Sequence, residues 1–165
     1  MSDDFERELV QFATKVVRIK SHCPSEESTK IFLVLPFLAM LGYDASDPTI
    51  LVPEHDADLH PAGQRKVDFA IMLDGQSSIA IEVKKAGSGL LEARAQLKGY
   101  YNHLPTARLG IATNGTLYEF FVDSEQSNLM DAEPFLTLDL EAAATGVVNA
   151  DVLKLLKTIR CRDYE

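Results

Sequence analysis

The spacing of apolar positions divides the chain into two helical stretches, a run of short strands and a closing helix. Phe5, Leu9, Val10, Phe12, Val16 and Val17, with Ile19 beyond them, recur at helical intervals and predict an amphipathic helix over 3–20. A break over 21–25 precedes a second helix over 26–41, with Ser25 as N-cap, a kink expected at Pro36 and Gly42 ending it. Beyond Gly42 the period falls to two. Residues 49–53 read as a short apolar strand. Val67, Phe69, Ile71 and Leu73 alternate with Asp68, Ala70, Met72 and Asp74, and Ile79, Ile81 and Val83 alternate with Ala80, Glu82 and Lys84. These are two strands of a hairpin turning at Asp74-Gly75-Gln76.

Parity constrains that hairpin. Both strands carry their large apolar residues at odd positions, so odd must pair with odd, and a connecting loop of odd length is expected. A three-residue loop sets Asp68 opposite Glu82 and leaves Asp68, Glu82 and Lys84 on one face. A helix follows over 88–103, its stripe made by Leu90, Leu97, Tyr101 and Leu104, with Gln96 and Tyr100 four apart on another face. Residues 109–112 and 117–122 read as strands joined by Asn114-Gly115, 123–133 as a polar loop, 135–140 as an extended segment and 150–159 as the closing helix. The expected order is α-α-β-β-β-α-β-β with a tail, a single domain over 1–165.

Composition narrows the function classes. A chain of 165 residues can bury roughly 68–70% of its unfolded surface, so it needs no metal or disulfide staple. The balance of 16 Lys+Arg against 25 Asp+Glu gives a net charge of −9, which argues against tight binding of bare nucleic acid through phosphate contacts alone. Cys23 and Cys161 lie far apart, so reduced thiols are expected and neither a disulfide framework nor a cysteine zinc site is. No signal-peptide pattern or membrane-length apolar run is read, and a cytoplasmic location with no membrane partner is expected. His22, His55, His60 and His103 lack ligand spacing, Ser25 and Ser28 have no nucleophile-elbow setting, and Gly87-Ser88-Gly89 is no phosphate loop.

The sharpest constellation is Asp68 with Glu82-Val83-Lys84. Two carboxylates and an ammonium on adjacent strands supply oxygen ligands for a hard cation, with open positions for water and a phosphate, and a cation to address the attacking water. The same residues would also serve as a charged solvent face, with Asp68 and Lys84 an ordinary cross-strand pair. Glu26 and Glu27 equally suit a helix first turn, and Gln96 with Tyr100 a polar surface pair. The acidic run Glu54, His55, Asp56, Asp58 is read as a solvated loop, from which Glu54 could reach the carboxylates.

Together these pieces resemble the PD-(D/E)XK nuclease signature, with Val67 in place of its proline. More specifically, the chain resembles the N-terminal nuclease domain of type I restriction enzyme motor subunits and their small stand-alone relatives. The residues that carry this are Glu26-Glu27-Ser28-Thr29-Lys30, Leu41-Gly42-Tyr43-Asp44, Lys66-Val67-Asp68-Phe69-Ala70, Ile81-Glu82-Val83-Lys84-Lys85, Gln96 with Tyr100, and Thr113-Asn114-Gly115, over about 25–140.

The resemblance implies a restriction-endonuclease-like α/β fold with an α-β-β-β-α-β core. It implies Mg²⁺-dependent hydrolysis of DNA phosphodiesters, with Mn²⁺ able to substitute. Asp68 and Glu82 would ligate the metal and the carbonyl of Val83 would complete the set. Lys84 would orient or activate the water. Glu26, or Glu27 beside it, would approach the metal. Gln96, Tyr100 and Lys85 would bind or support the substrate, and Thr113-Asn114-Gly115 would be a structural turn. Lys30, Arg65, Lys66, Arg94 and Lys98 are expected to border the site and supply local positive charge. DNA, a motor or specificity subunit and a second copy of the chain are the implied partners, since no helicase motif is present. The rival is a non-catalytic nucleic-acid-binding or regulatory module that keeps the nuclease fold.

Overall fold

The computed structural model describes residues 3–57 and 66–161. Arg65, Asp58 and His60 lie outside the described residues. Helix α1 (Asp4–Ile19) starts at Asp3, whose carboxylate accepts the Phe5 amide N–H at 3.2 Å, and it buries Phe5, Leu9, Ala13 and Val16 as one stripe. The second predicted helix is present with an internal irregularity. Its first turn, α2 (Glu26–Thr29), opens on a reciprocal Ser25–Ser28 capping box. A π-helical turn over Lys30–Val34 follows, and then α3 (Leu35–Met40). Where a kink at Pro36 is expected, the helix carries this widened turn, in which the Leu35 N–H reaches back to the Lys30 carbonyl just before the residue that cannot donate. Gly42, at φ 89°, ends the helix, and the Tyr43 amide returns to the Leu38 carbonyl.

Six strands form one mixed sheet in sequence order: β1 (Leu51–Asp56), β2 (Lys66–Leu73), β3 (Gln76–Val83), β4 (Leu109–Thr113), β5 (Leu117–Phe121) and β6 (Leu136–Asp139). Neighbours are antiparallel except β3 and β4, which run parallel and are joined through α4 (Leu91–Tyr101). Helices α5 (Leu140–Ala144) and α6 (Ala150–Ile159) follow. The acidic loop expected after 53 is instead strand through Asp56, the extended segment near 135 becomes the sixth strand, and α5 was not expected.

The β2–β3 hairpin pairs odd with odd where it matters, Phe69↔Ile81 and Ile71↔Ile79. The loop is nevertheless two residues long. Asp74 and Gly75 both take positive φ (52° and 75°), the backbone of a type I′ turn. A register shift between Ile71 and Met72 absorbs the odd residue and restores the parity that the buried face demands.

Both faces of the sheet are covered. Phe69, Ile71, Ile79, Ile81 and Val83 share one core with residues of α1, α3 and α6. On the other face Ala70, Ala80 and Ala112 sit with Leu97, Tyr100 and Tyr101 of α4. Small residues let this helix lie close: a Cβ on Gly110 would meet Leu97 Cδ2 at 3.1 Å. Val67 joins the α4 side, so the apolar alternation read over 67–73 breaks at Asp68. Among the described residues no helix is long and apolar enough to cross a membrane.

Candidate functional site

Strands β2 and β3 stay paired from Leu73↔Gln76 to Phe69↔Ile81. Beyond that point β2 keeps its partner β1 as far as Asp56↔Lys66, and β3 keeps β4 as far as Val83↔Thr113. Between the two strands, side chains take over the ladder. The Val83 N–H donates to Asp68 Oδ2 at 2.7 Å, and the Asp68 N–H donates to Glu82 Oε2 at 3.3 Å. Two carboxylates thus stand side by side in a notch at one end of the sheet. The notch opens into a cleft of about 430 Å³ whose walls include Glu54, Lys66, Gln96 and Tyr100. A larger cavity, about 900 Å³, lies at the opposite end between the β2–β3 turn and α6, and its walls are mainly apolar. Titratable groups converge on the smaller one, which makes it the candidate site.

Glu82 is buried, with a relative exposure of 6%. Burial first, and the neighbouring Asp68 carboxylate second, push its pKa up from 4.5 to about 8; the Asp68 N–H and the Lys84 ammonium only partly offset them. A charged solvent face does not look like this, because α4 roofs the adjacent Ala70 and Ala80. Asp68 and Lys84, which a solvent-exposed face would pair with each other, have other partners. Asp68 Oδ1 is held by Lys30 Nζ at 2.8 Å, while Lys84 Nζ donates to Gln96 Oε1 at 2.7 Å and lies 3.9 Å from Glu82 Oε1. Lys84 is anchored in turn by its own amide, which extends the parallel pairing to the Thr113 carbonyl at 2.8 Å.

Lys30, expected at the border of the site, reaches into it and pairs with Asp68. It lies 3.1 Å from Glu27 and 3.7 Å from Glu26, with its side chain only 15% exposed. Burial disfavours its charge, but the hydrogen bond and charge of Asp68, aided by Glu27, outweigh this and raise its pKa. Glu26 and Glu27 therefore meet the notch through Lys30 and are not placed against the carboxylate pair. Glu54 is exposed, at φ 50° in β1. Among the described residues no group of three or more His, Cys, Asp or Glu side chains is positioned to hold a metal ion.

Gln96 and Tyr100 line the same cleft but do different things. Gln96 holds Lys84, whereas the Tyr100 ring is buried and its hydroxyl meets Ser77 Oγ at 2.8 Å and His55 Nδ1 at 2.7 Å. Tyr100 thereby ties α4 to β1 and β3. Lys85 is exposed in the loop after β3. That loop is clamped from both sides: Thr29 Oγ1 accepts the Ala86 N–H at 3.0 Å, and Asn114 Nδ2 donates to the Ser88 carbonyl at 2.8 Å. Asn114 Oδ1 also accepts the amides of Thr116 and Leu117, the turn-forming role expected of it. Gly115 is required there. Its φ is +84°, and a Cβ would stand 2.7 Å from Leu33 Cδ1.

Arg94, expected to border the site and supply local positive charge, is turned toward Glu119. Its Nε and one terminal nitrogen donate to the two oxygens of buried Glu119 at 2.6 and 2.8 Å. A bidentate pair of this kind leaves no free fork for a phosphate. Lys66 is exposed at the cleft and Lys98 half-buried on α4. Compared with known proteins, the chain matches no family model, no curated protein and no solved structure.

Proposed function

We propose that this chain is a restriction-endonuclease-like, Mg²⁺-dependent phosphodiesterase acting on DNA. The observation that carries the reading is the notch itself: Asp68 and Glu82 side by side where two strands separate, with the Lys84 ammonium held beside them by Gln96. Two acidic oxygen donors in a partly buried site fit a small hard cation that keeps several waters. The raised pKa of Glu82 marks carboxylate charge that nearby cations only partly compensate. A bound Mg²⁺ or Mn²⁺ would lower the pKa of a coordinated water and neutralise charge on the phosphate.

The chain's own residues supply the rest. Asp68 and Glu82 hold the cation, with the Val83 carbonyl beside them as a further oxygen donor. The Asp68 carboxylate is oriented by the Val83 amide. Lys84 orients the attacking water and offsets negative charge developing on the phosphate oxygens. Gln96 fixes the lysine rotamer, Tyr100 fixes the helix that carries Gln96, and Lys66 and Lys85 meet the nucleic-acid backbone at the cleft mouth. Glu26 acts at one remove, through Lys30. A motor or specificity subunit would bring the domain to DNA, and a second copy would provide the second active site for a double-strand cut.

One observation favours a different reading. The cations near the notch are already engaged, Lys30 with Asp68, Lys84 with Gln96 and Arg94 with Glu119, and this suits a regulatory module that has kept the fold. The deciding experiment is cleavage of supercoiled, linear duplex and single-stranded DNA with Mg²⁺ and Mn²⁺ by the wild type and Lys84→Ala. Metal-dependent cutting that is lost in the variant supports the enzyme. Absence of cutting by a folded wild type in every condition supports the module.

A further inference from the structure

The position of Lys30 carries a consequence for how a cation could enter the notch, on the reading that Asp68 and Glu82 form its site. Asp68 has two carboxylate oxygens. Oδ2 accepts the Val83 amide N–H at 2.7 Å, which makes Oδ1 the better placed of the two oxygens for a cation. Oδ1 is the atom that Lys30 Nζ holds at 2.8 Å. The contact is shielded, the side chains of Lys30 and Asp68 being 15% and 14% exposed. A divalent cation and an ammonium cannot share that oxygen without strong repulsion.

The same ammonium has a second resting place already in reach. Glu27 Oε1 is 3.1 Å away and Glu26 Oε1 3.7 Å away, both on the outer side of the helix start and more exposed than Asp68. A lysine side chain carries enough rotatable bonds to leave Asp68 and remain paired with these two. Lys30 also lies where the helix changes from α to π geometry, so its stem leaves the helix at an irregular turn.

We propose that Lys30 is a resident counter-ion of the carboxylate notch, which a divalent cation displaces from Asp68 toward Glu26 and Glu27. Cation binding is then an exchange. Lys30 compensates the Asp68 carboxylate before the cation arrives and lowers cation affinity in doing so. This assigns Glu26 and Glu27 a role as the acceptor of the displaced ammonium.

The test is Mn²⁺ affinity of the full chain without DNA, read from the electron paramagnetic resonance of the free ion. Wild type, Lys30→Met, Lys30→Gln, Asp68→Asn and the charge-matched surface variant Lys154→Met are compared, and each variant's folded state is checked by circular dichroism. Lys30→Met and Lys30→Gln should bind Mn²⁺ about tenfold or more tightly than wild type. Lys154→Met should match wild type, and Asp68→Asn should lose binding. Equal or weaker affinity in both Lys30 variants overturns the exchange while the cation site stands, provided that Asp68→Asn abolishes binding. If wild type and Lys30 variants alike fail to bind Mn²⁺, the cation site and the exchange fall together.

Discussion

Replacing Glu82 by Gln tests the electrostatics of the notch without disturbing its shape. In the folded chain the Glu82 carboxyl keeps its proton until about pH 8, because burial and Asp68 oppose its charge; in the unfolded chain it ionises near 4.5. The folded state therefore binds more protons over that window, and stability falls as pH rises through it. At pH 7 the unfolded chain gains roughly 3 kcal/mol by ionising this group, and the folded chain gains little. Glutamine keeps a carbonyl oxygen to accept the Asp68 N–H, now 3.3 Å from Glu82 Oε2, and has no proton to lose. Glu82→Gln should then be more stable than wild type by about 3 kcal/mol at pH 7, with the advantage vanishing near pH 4.5. Urea unfolding of both proteins from pH 4.5 to 8 reads this directly, as a wild-type curve that slopes down and a flatter variant curve. Saturating Mn²⁺ should stabilise the wild type and leave the variant unmoved. A variant less stable than wild type at pH 7, or parallel pH profiles, would refute the argument.

Three further substitutions probe what holds the site in place. Gly115→Ala should cost about 2 kcal/mol or more in urea unfolding, because the new Cβ meets Leu33 Cδ1 at 2.7 Å on a backbone at φ +84°; an unchanged midpoint would contradict the contact. Arg94→Met should cost about 3–5 kcal/mol by leaving Glu119 buried without its partner, and the doubly neutral Arg94→Met/Glu119→Gln should recover much of this; a loss below about 1 kcal/mol would place the pair at the surface in energetic terms. Tyr100→Phe should cost about 1–2 kcal/mol through its lost contacts with Ser77 and His55. It should also lower the DNA cleavage rate with Mn²⁺ affinity unchanged, and equal loss of both would show that Tyr100 acts on the carboxylates themselves.

Much of the notch was legible because parity is a strict constraint. Odd apolar residues on both strands require odd-to-odd pairing, and that alone puts Asp68 and Glu82 on one face of adjacent strands. The loop length was misjudged for an equally physical reason, since a register shift at Ile71/Met72 lets a two-residue turn coexist with odd pairing. The π turn was hidden because Pro36 signals only that a helix bond is missing, not how the chain absorbs the loss. Lys30 was legible as a cation at the border of the site, but its pairing with Asp68 was not, because Asp68 is remote in sequence and the helix start supplies two nearer acids that explain a lysine locally. For Arg94 a signal did exist. Glu119 interrupts the otherwise apolar Leu117–Phe121 strand, and a lone carboxylate in such a strand requires a buried cation.

The proposed enzyme requires Asp68 and Glu82 to hold a divalent cation together. Anomalous diffraction from crystals grown with Mn²⁺ and a short DNA duplex, for the wild type and Asp68→Asn, reads this at the notch itself. The expected result is an anomalous peak in the notch within bonding distance of both carboxylates, a phosphate oxygen beside it and Lys84 nearby, and no such peak in the variant. Crystals with DNA in the cleft and no peak between Asp68 and Glu82, or a peak that survives Asp68→Asn, would contradict it.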